Sequence, residues 1–245
     1  MRQIPLTVDS LKKSNLGEDA LTNLYPQPIK SIKGQFRLVN TPGLKEHTYF
    51  NTGPVIGIHE VNGRTFAITP TEFNELTLNG VLNRGGSGAV NFPNYQFAFL
   101  SIASSSRYVV MTNGTYCYAF DMFNNTFSNL TNVAGFYPSD TVTFQDGYFI
   151  FNRNDTGQFF ISRLNDITFN PLDYASAEGN GDNVTAVISN QRELMVFGRK
   201  TISIWYHAGG PFAFAKNLGA FIERGTIMPH AVKKINNTVF LLVMI

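Results

Sequence analysis

Val142-Thr143-Phe144-Gln145-Asp146-Gly147-Tyr148-Phe149-Ile150-Phe151 is two runs of strand-forming residues meeting at an Asp-Gly pair. Asp-Gly between such runs signals a two-residue hairpin, because both central positions of that turn take positive φ. Similar turn pairs recur along the chain at Asn62-Gly63, Ser105-Ser106, Asp146-Gly147, Asn190-Gln191 and Asn236-Asn237, separated by 43, 41, 44 and 46 residues. An aromatic or β-branched run follows each: Thr65–Ile68, Tyr108–Met111, Tyr148–Phe151, Leu194–Phe197 and Val239–Leu242.

A second turn series runs in phase with the first, at Asn113-Gly114, Thr156-Gly157 and Arg199-Lys200, and leads into Tyr116–Phe120, Phe159–Ser162 and Ile202–Tyr206. Each unit therefore reads strand, turn, strand, turn, strand, followed by a polar stretch able to hold a fourth strand. A four-stranded antiparallel unit with a period near 43 residues is the pattern of a β-propeller blade. A two-sheet sandwich also spaces turns every 8–12 residues or so, but two turn series in phase favour the propeller. The expected fold class is all-β. Residues 1–50 stand outside the repeat, as an extended N-terminal arm in which Asp9–Leu21 could form a short helix and Pro26, Pro28 and Pro42 enforce extended backbone. Residues 51–245 hold the blades. The last blade is cut short, and Val239–Ile245 is expected to be a bare apolar edge strand, which suggests a longer parent chain.

Composition agrees with this reading. Of 245 residues, 15% are charged, 43% are hydrophobic, and Phe 22, Tyr 10 and Gly 21 stand beside 25 Asn. That profile excludes wholesale disorder. The net charge of +2 lacks the basic excess of a dedicated nucleic-acid binder. Cys117 is the sole cysteine, which excludes an internal disulfide and a cysteine-based zinc site. No apolar run approaches the roughly 20 residues that span a bilayer as a helix, so no membrane partner is expected. Met1–Pro5 lacks a signal-peptide core.

The residue types that carry catalysis are present but not arranged for it. Asn83–Gly88 is glycine-rich without the Lys-Ser/Thr of a phosphate loop. His47, His59, His207 and His230 show no metal-ligand spacing. Asp140, Asp146, Asp166, Asp173 and Glu178 are the carboxylates a propeller glycosidase could use as an acid/base pair. Asp146 is first a turn residue, however, and Asp166 and Asp173 flank a loop read at Phe169-Asn170-Pro171. No catalytic, cofactor-binding or metal residue is assigned.

Three stretches, in order, carry a resemblance. They are Asn23–Pro26 with Arg37–Leu44; Val142–Phe151 with Gln158–Ser162; and Asp173–Glu178 with Arg192–Gly198 and Thr201–Tyr206. Together they resemble the packaged-DNA stabilisation proteins, or tail hub proteins, of short-tailed bacteriophages. The resemblance implies a virion structural protein rather than an enzyme, assembled in the host cytoplasm, without cofactor. It implies partners as well: further copies in a closed ring (a hexamer), a portal adaptor above, needle or spike proteins below, and weak non-specific contact with DNA in the channel. Its role would be to retain packaged DNA and then to form part of the ejection conduit. The alternative is a carbohydrate-binding or glycan-active propeller of a host-recognition structure, with Tyr116, Tyr118, Trp205 and Tyr206 stacking on sugar rings.

Overall fold

The computed structural model describes residues 24–31, 34–40, 47–86, 88–93, 99–177 and 182–242. The chain divides into two compact units, Met1–His47 and Thr48–Ile245. In the first, β1 (Leu24–Ser31) and β2 (Gly34–Asn40) form an antiparallel pair, with Pro26 and Pro28 inside β1. The helix expected at Asp9–Leu21 lies outside the described residues, as does Pro42.

The second unit contains four antiparallel four-stranded sheets, each a simple meander. Sheet one holds β3 (Gly57–Val61), β4 (Arg64–Ile68), β5 (Phe73–Thr77) and β6 (Gly80–Asn83). Sheet two holds β7 (Ser101–Ser104), β8 (Tyr108–Thr112), β9 (Cys117–Asp121) and β10 (Thr126–Asn129). Sheet three holds β11 (Val142–Gln145), β12 (Tyr148–Asn152), β13 (Gln158–Ser162) and β14 (Phe169–Ser176). Sheet four holds β15 (Val184–Asn190), β16 (Glu193–Gly198), β17 (Ile202–His207) and β18 (Phe214–Ile222). A 3-10 turn at Pro229–Ala231 precedes a two-stranded sheet of β19 (Val232–Ile235) and β20 (Thr238–Leu241). The architecture is all-β, with no α-helix among the described residues.

The turns follow from local chemistry. Asn62 and Gly63 have φ of 53° and 72°, and Asp146 and Gly147 of 50° and 91°, the paired left-handed geometry of a tight hairpin. The fourth turn of the first series falls one residue later than Asn190-Gln191. Asn190 ends β15, and Gln191 and Arg192 carry the positive φ values of 51° and 66°. Two further expectations are corrected. Phe169-Asn170-Pro171 is not a loop but the start of β14. Proline is tolerated there because β14 is an outer strand, bonded only to β13, so its missing N–H interrupts no second ladder. The strand expected at Val239–Ile245 is β20, Thr238–Leu241; residues 243–245 lie outside the described residues.

Packing explains why the middle strands are apolar on both faces. In β8, Val109 and Met111 pack with Phe66, Ile68 and Phe73 of sheet one, whereas Val110 packs with Phe149, Phe151 and Phe160 of sheet three. In β12 and β13, Ile150, Phe159 and Ile161 turn the other way, against Val187, Leu194, Val196 and Trp205 of sheet four. Phe197, Ile202 and Ile204 then meet Val232 of β19. Sheets two, three and four thus each lie between their sequence neighbours, and strand alternation sends one face to each. Every fully buried Phe contributes about 1.5–3 kcal/mol of burial, which gives the stack its cohesion.

Candidate functional site

The first strand of each sheet is where neighbouring sheets meet through polar groups. Ser101 on β7 accepts from the Val142 N–H at 3.0 Å. Thr141, just before β11, and Thr143 on β11 accept from the Val187 and Ser189 N–H groups of β15, each at 3.1 Å. His59 and Ser104 join β3 to β7 at 2.8 Å, and burial holds that imidazole below its ordinary value. Beside the turns, side-chain amides reach across to the next turn's carbonyl. Asn62 donates to Ser106 O at 2.9 Å, Gln145 to Arg192 O at 2.7 Å and Asn190 to Asn237 O at 3.4 Å. The sequence reading placed Asn62 and Asn190 in turns and gave Gln145 no role. It missed all three as donors to the next turn, although the spacing of donor and acceptor, 44 to 47 residues, repeats the period of the chain.

β7, β11 and β15 line a cavity of about 340 Å³ together with Pro229, His230, Lys233 and Lys234. Lys234 Nζ donates to Ser189 O at 3.3 Å. His230 packs on Phe99 with ring centroids 5.2 Å apart. Burial, reinforced by Lys233, holds its pKa down at about 4.

The carboxylates singled out from sequence are dispersed. Asp140 lies beside Asn154, and burial pushes its carboxyl above the ordinary value. Asp146 sits in its hairpin turn, 3.7 Å from Arg192. Asp166 accepts from the Ile167 N–H and the Thr168 hydroxyl within its own turn. Asp173, on β14, accepts from Asn170 at 3.0 Å; Glu178 lies outside the described residues. Stronger carboxylate pairing occurs at residues the sequence reading did not single out. Glu75 bridges Arg64 at 2.7 Å and Arg84 at 2.6 Å, and Asp121 binds Arg107 at 2.7 Å. Among the described residues no three His, Cys, Asp or Glu side chains converge as a metal site. The Cys117 thiol is buried, and burial pushes it up, away from the reactive thiolate.

Nor do the four aromatic residues form a sugar platform. Tyr118 and Trp205 are buried, Trp205 donating to Ser203 Oγ at 2.9 Å and packing edge-on against Phe159. Tyr116 packs at the margin of the core between sheets one and two. Tyr206 alone of the four is exposed.

Comparison with known proteins bears on these observations. A computationally designed protein, Ika8, superposes with a TM-score of 0.51 at 12% identity, over 90% of this chain and 65% of that one. A chain of the mitotic checkpoint complex gives 0.48 at 11% identity, over 84% of this chain and 62% of that one. At 12% identity the likeness to Ika8 concerns fold alone, and the present chain spans less than two thirds of either. No curated protein matches. The sequence profile of the Phage_stabilise family, described as bacteriophage P22 Gp10, beta-propeller, matches residues 2–244. The chain therefore belongs to this family of phage packaged-DNA stabilisation proteins, a β-propeller family.

Proposed function

We propose that this phage structural protein is a tail hub or head-closure component, set below the portal and its adaptor, which retains packaged DNA and forms part of the ejection conduit. Family membership over residues 2–244 is the observation that carries this reading. The architecture suits the role. Sheets clamped at their first strands by hydroxyls and amides, and through their faces by aromatic side chains, make a stiff unit. A stiff wedge can repeat head-to-tail into a closed ring. We propose that the ring consists of copies of this chain, a hexamer, with the portal adaptor on one side and needle or spike proteins on the other. A modest net charge of +2 suits a conduit wall, since each cation gripping a phosphate would retard transit. In this reading the protein is virion-borne and non-enzymatic, and the four-stranded sheets are propeller blades.

A phage carrying a nonsense mutation in this gene tests the proposal. Heads should fill with DNA and then lose it, and protein supplied in trans should restore genome retention. Full heads that keep their DNA but fail to adsorb to the host would overturn it.

A further inference from the structure

The cavity along the first strands has a charge character that the structural role does not require. Its lining combines Ser101, Ser104, Thr141, Thr143 and Ser189 hydroxyl residues with His230, Lys233 and Lys234, and contains no carboxylate among the described residues. We propose that this cavity binds a phosphate group, with Lys233 and Lys234 supplying charge and His230 an N–H donor.

The argument rests on composition, geometry and size. Cations clustered without acidic partners, beside low-dielectric walls, focus a positive potential on the space between them. Lys234, though exposed, is tethered at Ser189 O, which places its ammonium at the β15 wall. His230, packed on Phe99, is neutral near pH 7 because burial and Lys233 hold its pKa at about 4, so its ring keeps one donor and one acceptor. The charged groups among the lining residues are Lys233 and Lys234, with His230 as the remaining titratable group. A volume of about 340 Å³ exceeds the needs of a bare tetrahedral anion and leaves room for an ester substituent. A free phosphate and a phosphate in a nucleic-acid strand present the same chemistry.

The test follows the histidine side-chain NMR signals of the full chain during titration with inorganic phosphate and, separately, with a short oligothymidylate. The His230 signal should move saturably while those of His59 and His207 stay in place. The double variant Lys233→Gln, Lys234→Gln changes two exposed side chains. It should raise the half-saturation point by about tenfold or more with an unchanged melting temperature. Saturation by inorganic phosphate alone assigns a free anion, and saturation by the oligonucleotide at lower concentration assigns a strand; either supports the site. No saturable shift at His230 with either probe, or the same half-saturation in the double variant, overturns it.

Discussion

The junction between sheets one and two includes a guanidinium anchored by a carboxylate, whereas the polar bridge between sheets two and three is built of neutral groups. At the first, Arg64 binds Glu75 through two nitrogens and also donates to Met122 O and Asn125 Oδ1 of sheet two, while Arg84 binds Glu75 from β6's end. At the second, Thr112 donates to Ser139 O at 2.6 Å. Asn152 Oδ1 accepts from the Thr141 N–H, the Thr141 hydroxyl and the Ser139 hydroxyl. Asn154 donates on to Gly114 O. Both arrangements satisfy buried polar groups, but their carboxyls answer to pH with opposite sign. Arg64, and with it Arg84, holds the Glu75 carboxyl below its ordinary value. The carboxyl of the second junction, Asp140, is instead raised by burial. Two of the four ion pairs among the described residues share Glu75 in sheet one.

Three substitutions probe that contrast. Asn152→Ala should have the largest effect, because it strands the buried Thr141 N–H and opens a small void. The expected loss is about 3 kcal/mol in urea unfolding, the same at acid and neutral pH. Glu75→Gln should cost about 2 kcal/mol near neutrality, since the two guanidiniums lose their shared partner. That loss should shrink in acid. The folded pKa of Glu75 lies below the ordinary 4.5, so its contribution is whole above 4.5 and is lost as pH falls from there through the folded value. Asp140 has the opposite sign: its contribution is whole below its ordinary 3.8 and is lost as pH rises through its raised folded value. Equal pH dependence in the Asn152 and Glu75 variants would dissolve the comparison. Gln145→Ala should have the smallest effect, under about 1 kcal/mol. It removes the bond to Arg192 O but also removes Oε1, a buried acceptor with no partner among the described residues.

What the sequence revealed, and what it hid, divides along the range of the interactions. Asn62-Gly63 and Asp146-Gly147 announce their turns because positive φ is a local requirement. The paired faces of β8 and β12 were visible as continuous apolar runs. The turn at Gln191-Arg192 was read one residue early, at Asn190-Gln191, since neither Gln nor Arg favours positive φ and the flanking strands impose it. Pro171 read as a loop because the single-sided bonding of β14 is a tertiary fact. Asn152 and Glu75 act through partners brought together by strand pairing, and nothing beside them in the chain marks them. Tyr118 and Trp205 looked available for stacking only until the sheets closed over them.

Cryo-electron microscopy of the intact particle tests the central claim most directly. The account predicts density fitting these four-stranded sheets in a closed ring at the DNA-entry vertex, below the portal and its adaptor. Density for this chain on peripheral host-recognition fibres, with none at that vertex, would contradict it.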